Sequence, residues 1–294
     1  MQFRRIFGPE NRTYLLTINT LKLRPVTKFR HTTSGIRYVR RGKSRTAVIF
    51  IHGFLEDLHM WDGFVRRVPG YSSVWLDLYG FGGSSVPESC TMEDYAAGVH
   101  EVIETEAFGR VLLVGHSMGG YTALAYARRY PDKMAGLSLF HSHPYRDTKE
   151  IRAKRDKSIG FVQSHGVTAY AHATVPNLFA PAFRARRPEV VQRVTDAACR
   201  TSAEGVVAAL GAMKKRKDTS GVLREAPFPV QFIIGSEDAA IPAELSLRQT
   251  SLPPIADIHI IERVGHMGHL EAPGRTKRAV RAFLDFCREV SVGE

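Results

Sequence analysis

Two apolar patterns alternate along this chain. Short continuous runs rich in β-branched residues, "TAVIFIHGF" (46–54), "RVLLVG" (110–115) and "FPVQFIIGSED" (228–238), predict strands buried on both faces. Residues 34–41, "SGIRYVRR", alternate as a half-buried strand does. "SSVWLDLYGFGGSS" (72–85), "MAGLSLFHSHP" (134–144) and "ADIHIIERVGH" (256–266) add three more strands. Between them, "MEDYAAGVHEVIETEAFG" (92–109), "GGYTALAYARRYP" (119–131) and "RTKRAVRAFLDFCREV" (275–290) show helical spacing. The first has acids early and is closed by Gly109, and the second is stopped by Pro131. Strands alternating with helices predict an α/β fold with an open, mostly parallel, doubly wound sheet. Residues 145–220 break the alternation, with helical patterns and no strand run between two buried strands. They predict a helical cap inserted into a core formed by 31–144 and 221–294, after an N-terminal arm over 1–30.

Charge sharpens this division. The chain of 294 residues carries a net charge of +12. Residues 1–45 hold twelve Lys and Arg against one acid, Glu10, and residues 145–225 hold sixteen against eight, so the remaining core is net acidic. No nucleic-acid motif or aromatic-basic platform accompanies the basic arm, which argues against nucleic acid as a partner. The segment "TYLLTINTLKLRPV" fits either an extra strand or part of an Arg-rich leader. Cys90, Cys199 and Cys287 are too few and too widely spaced for a disulfide framework or a zinc knuckle. No apolar run reaches membrane-spanning length, and "MQFRRIFGPENR" lacks the apolar segment of a secretory signal. A cytoplasmic protein is expected, with an organellar leader left open; the oligomeric state cannot be read.

In open parallel sheets, ligands bind at the carboxyl ends of the strands. The residues able to do chemistry collect there: His52-Gly53-Phe54 after one strand, Asp77 after another, then Ser117, Asp238 and His266. Gly115-x-Ser117-x-Gly119 matches the nucleophile-elbow pattern, in which a serine sits on a sharp strand-to-helix turn beside residues too small to collide. The pattern alone is weak; its strand–turn–helix setting strengthens it. A serine hydroxyl is a poor nucleophile near neutral pH, so it needs a base, and the base an orienting acid. His266 and Asp238 supply these in the order Ser…Asp…His. Glu237 is the rival acid and His269 the rival base.

With these residues in place, the chain resembles the α/β-hydrolase superfamily, serine-nucleophile branch, over nearly its whole length. The resemblance rests on His52-Gly53, "DLYGFGGS" (77–84), "GHSMGG" (115–120), "GSED" (235–238) and "GHMGHLEAP" (265–273). It implies Ser117 as nucleophile, His266 as general base and then acid, and Asp238 as its orienting carboxylate. It also implies an oxyanion hole from the backbone N–H groups of Phe54 and Met118. Related haloalkane dehalogenases and epoxide hydrolases carry aspartate at the nucleophile position. Serine there points to an acyl-enzyme and a carboxylic ester or related acyl substrate, with no cofactor. Thioesters, lactones and carbon–carbon bonds beside a ketone fit the same machinery, as does a slow hydrolase serving as a ligand receptor.

Several residues take supporting roles in this reading. His52, Gly53, His116, His143 and Phe179 are candidates for the substrate pocket. Asp77 is expected to fix its own loop, Glu271 to organise the loop after His266, and Trp61 and Tyr121 to be core or pocket wall. His141-x-His143 has metal-ligand spacing, but no carboxylate or cysteine lies near it in sequence, so no metal is expected. The cap's basic excess fits either anionic substrates or a solvated face formed by Arg184, Arg186 and Arg187.

Overall fold

The computed structural model describes residues 28–64 and 68–292, together with two short strands that precede them. Those strands, β1 (Arg5–Phe7) and β2 (Thr13–Leu15), pair antiparallel. The rest of the basic arm before residue 28 lies outside the described residues, so the leader reading of "TYLLTINTLKLRPV" meets only the strand at its start.

The main sheet has eight strands: β3 (Arg30–His31), β4 (Arg37–Arg41), β5 (Thr46–Ile51), β6 (Ser72–Leu76), β7 (Arg110–His116), β8 (Met134–Phe140), β9 (Val230–Gly235) and β10 (Ala256–Ile261). Their order is β10-β9-β8-β7-β5-β6-β4-β3. All neighbours from β10 to β6 are parallel, and β4 and β3 complete the edge antiparallel. The continuous apolar runs are the central strands. All of β8 and β9 and nearly all of β5 and β7 are buried, as expected where helices cover both faces.

Helices α1 (Met92–Thr105) and α2 (Met118–Arg129) pack on one face. The long C-terminal α10 (Pro273–Val292) packs on the other, with Phe283 and Leu284 against Val48, Phe50 and Trp61. Local chemistry sets the starts: Thr91 and Asp94 form a reciprocal capping box at α1.

Between β8 and β9 the chain leaves the sheet for α3 (Lys149–Thr174), α4 (Pro181–Arg186), α5 (Pro188–Ala198), α6 (Ala203–Lys215) and α7 (Ser220–Arg224). This is the inserted helical cap. Its Val162, Phe179, Val206 and Leu210 join the same apolar cluster as α1 and α2, so the cap is packed onto the carboxyl-edge side of that core. Short α8 (Ala243–Arg248) and α9 (Gly268–Glu271) follow β9 and β10. All three cysteines are free. Among the described residues no helix is long and apolar enough to cross a membrane.

Candidate active site

Strand β7 ends at His116, and α2 begins at Met118 with no linker. Such an abrupt turn leaves no space for side chains. A Cβ on Gly115 would collide with the backbone of Gly119, and one on Gly119 with the carbonyls of Ile51 and His52. Ser117, the single residue between strand and helix, takes φ 51° and ψ −113°, a region a side chain rarely adopts. Two bonds hold it there: the Ser117 N–H donates to the Phe140 carbonyl at 2.9 Å, and the Ser142 hydroxyl donates to the Ser117 carbonyl at 2.8 Å. Leu55 and His141 also have positive φ and stand at the same edge of the sheet.

Ser117 and His266 line one cavity of about 230 Å³ beneath the cap. His266 is buried on the loop after β10. Its Nδ1 lies 2.8 Å from Asp238 Oδ2, and a carboxylate only accepts, so Nδ1 carries the proton and Nε2 is free for chemistry. Asp238 is also buried and is held by the N–H groups of Ala240 and Ile241 on its other oxygen. Burial alone would raise its pKa. The electrostatic attraction and hydrogen bond of His266, with His141 nearby, outweigh that and hold it well below the usual carboxylate range. Ser117 Oγ makes no hydrogen bond among the described residues, so the serine–histidine link is open in this conformation. The Phe54 and Met118 N–H groups likewise have no partner there.

The rivals separate clearly. Glu237 is exposed, and its N–H donates to the Val264 carbonyl. His269 is buried away from Ser117, with Nε2 4.0 Å from Glu56. Burial lowers the His269 pKa to about 3, which keeps it neutral.

Of the pocket candidates, His116 lies on the cavity wall, as does Phe54 from the oxyanion pair, but four others do not. His52 is fully buried; its Nδ1–H donates to the Gly53 carbonyl and its Nε2 accepts from the Leu78 N–H. It is a strut between two loops. Gly53 faces inward, its N–H donating to Glu56. His143 sits beyond the wall between the Tyr121 hydroxyl and Arg216, lowered to about 3 by burial and the arginine. Phe179 stacks on Phe183, and its neighbour Leu178 lines the cavity instead. Asp77 accepts from Leu58, Gly83 and Arg37 and fixes its loop. Glu271 accepts from Gly265, Met267 and Ala180, which ties the His266 loop to the cap.

Sequence reasoning missed Glu56. Its Oε2 lies 2.7 Å from His116 Nδ1, and His116 Nε2 lies 2.9 Å from the His266 carbonyl. The carbonyl only accepts. Glu56 Oε2 also accepts the Gly53 N–H, and the His116 charge and hydrogen bond hold its pKa well below the ordinary range, so it acts as a carboxylate acceptor. Both His116 nitrogens therefore donate, and the ring is an imidazolium paired with Glu56. Burial would push the Glu56 pKa up, but the His116 charge and hydrogen bond bring it down to about 2. Burial would push His116 down, and Glu56 reverses this and raises it. The first of the two acids, Glu56 and Asp57, that follow His-Gly-Phe-Leu was the available signal.

Among the described residues, two trios bring metal-capable atoms within 4.8 Å of one another: Glu56, His116 and His269, and His141, Asp238 and His266. The second gives His141 the carboxylate that was not apparent in sequence: its Nδ1 is 3.2 Å from Asp238 Oδ2, though without hydrogen-bond alignment. A cation in either trio would displace hydrogen bonds already made by His116 or His266. A larger cavity of about 920 Å³ lies on the other side of the Leu55–Glu56 turn, and neither Ser117 nor His266 lines it.

Comparison with known proteins agrees with this architecture. The family model for the alpha/beta hydrolase fold matches residues 46–273. The chain is 26% identical over 253 residues to 2-(acetamidomethylene)succinate hydrolase of Mesorhizobium japonicum, covering 84% of this chain and 91% of that one. It is 29% identical over 269 residues to 2-hydroxy-6-oxononadienedioate/2-hydroxy-6-oxononatrienedioate hydrolase of Burkholderia vietnamiensis, covering 85% and 90%. A thermophilic esterase from Thermogutta terrifontis superposes with a TM-score of 0.81 at 28% identity, over 89% of this chain and 98% of that one. The chain belongs to the α/β-hydrolase family and is a hydrolase.

Proposed function

We propose that the protein is a serine hydrolase that cleaves a carboxylic ester, or a related acyl bond of a small molecule, through an acyl-enzyme on Ser117. The observation that carries this reading is a serine at a helix N-cap that does not cap. Thr91, Thr148 and Ser202 occupy the same position on α1, α3 and α6, and each accepts a backbone N–H of its own helix. Ser117 accepts none. The φ of 51° costs about 1–3 kcal/mol and denies the helix its cap. Such strain persists at functional sites, where the surroundings hold it.

The chemistry follows from the placements. An acyl carbonyl entering the cavity meets Ser117 Oγ on one side and the unpartnered N–H groups of Phe54 and Met118 on the other. His266 Nε2 takes the Ser117 proton as Oγ attacks, while Asp238 keeps Nδ1 protonated and the ring oriented. The developing oxyanion accepts from Phe54 and Met118, the latter at the positive end of α2. His266 then protonates the departing alcohol, and water activated by the same nitrogen releases the acid. The open Ser117–His266 link is compatible with this, because such links often close only with substrate bound.

A fluorophosphonate probe tests the assignment. Covalent labelling of the wild-type protein, abolished in Ser117→Ala, is expected. A folded wild-type protein that takes no label would overturn it.

A further inference from the structure

The cavity wall nearest the cap is electrically one-sided. Lys154 and Arg155, consecutive on α3, both line it. Arg155 is tied to buried Asp147, but Asp147 also holds Arg216 at 2.5 Å, so this trio keeps a net positive charge. Arg216 in turn lies 4.1 Å over the ring of Tyr121, another wall residue. Lys154, at the exposed rim, makes no ion pair or hydrogen bond among the described residues. The one acid on the wall, Glu56, is spent on His116. Arg184, Arg186 and Arg187, by contrast, stay off the wall. Much of the remaining lining is apolar, with Tyr170, Leu178, Leu210, Met213 and Ile241.

We propose that the substrate carries a carboxylate, separated from the acyl bond by an apolar stretch, and that Lys154 with Arg155 receives it at the cap side of the cavity. A cation at the cavity rim that makes no ion pair among the described residues favours an anionic ligand group and disfavours a cationic one. This inference rests on Ser117 as nucleophile and deepens that reading by naming the substrate class.

The test compares matched esters. One pair is mono-p-nitrophenyl glutarate against p-nitrophenyl butyrate, which places the carboxylate on the acyl side. The other is 4-carboxybenzyl butyrate against benzyl butyrate, which places it on the alcohol side. Ser117→Ala supplies the blank for both. In at least one pair the wild-type protein should favour the carboxylated ester by about tenfold in kcat/KM, chiefly through KM. Lys154→Glu should reverse that ratio. Lys157→Glu, the same charge change at an exposed lysine off the cavity wall, should preserve it. Ser117-dependent hydrolysis with no carboxylate preference in either pair, or a preference that Lys154→Glu and Lys157→Glu shift equally, would overturn this inference and leave the nucleophile standing. Absence of both Ser117 labelling and Ser117-dependent hydrolysis would overturn the nucleophile, and this inference with it.

Discussion

Replacing Ser117 by Ala is expected to lower kcat/KM on a short acyl ester by about 10⁵-fold, with KM little changed. His266→Ala should cost about as much, and the double replacement no more than either alone. In the proposed mechanism nucleophile and base act as one unit, so removing the first leaves nothing for the second to assist. Asp238→Asn should cost less, about 10³- to 10⁴-fold. The asparagine can still accept from Ala240 and Ile241 but favours the wrong His266 tautomer. Steady-state kinetics on the four variants checks the series. Additive losses in the double replacement would mean that Ser117 and His266 do not share a step. Ser117→Ala should fold, since Ser117 Oγ makes no hydrogen bond among the described residues and the strain at residue 117 belongs to the backbone.

The second large effect belongs to Glu56 on the cavity wall, through its ion pair with His116. Glu56→Gln should lower stability by about 3 kcal/mol at pH 5–6, because it leaves the buried His116 without its counter-charge. The glutamine keeps an acceptor for the Gly53 N–H, so the loss reports the ion pair. Its pH dependence has a definite sign. His116 is raised in the folded protein, so its contribution is complete below the ordinary histidine value of about 6.5 and fades as pH rises through the folded value. Glu56 is lowered to about 2, so its contribution holds above the ordinary carboxylate range and fades only as pH falls towards that value. The difference between wild-type and Glu56→Gln proteins should therefore be widest in mildly acidic solution and shrink towards alkaline pH. Denaturant melts across pH read it directly. A constant difference would mean that His116 is not charged. Because His116 also holds the His266 carbonyl, kcat should fall in the same variant more than KM rises.

Much of this was legible in sequence, for a physical reason. Strands buried on both faces leave continuous apolar runs, and a parallel sheet brings their carboxyl ends to one rim, so Ser117, Asp238 and His266 declare themselves by standing just past such runs. Glu56 did not. Its partner lies 60 residues away, and the two meet only because β5 and β7 are hydrogen-bonded neighbours with Ile51 opposite Gly115. The direction of a side chain in a tight loop was equally hidden. His52 stands two residues before Phe54, yet it points into the core and bonds Leu78, which no spacing rule reveals. On the cap, Arg184, Arg186 and Arg187 form the conspicuous basic cluster of the sequence. The helix face that meets the cavity belongs instead to Lys154 and Arg155, and that depends on how α3 lies over the sheet.

The most direct test of the account is the covalent state of Ser117 during turnover. The wild-type protein is mixed with an activated acyl ester, quenched in acid before the substrate is exhausted, and digested with trypsin. The account predicts that the peptide of residues 111–128 carries the acyl mass on Ser117, and that the modification disappears once substrate is consumed. Sustained turnover with that peptide unmodified, or with the acyl group on another residue, would contradict it.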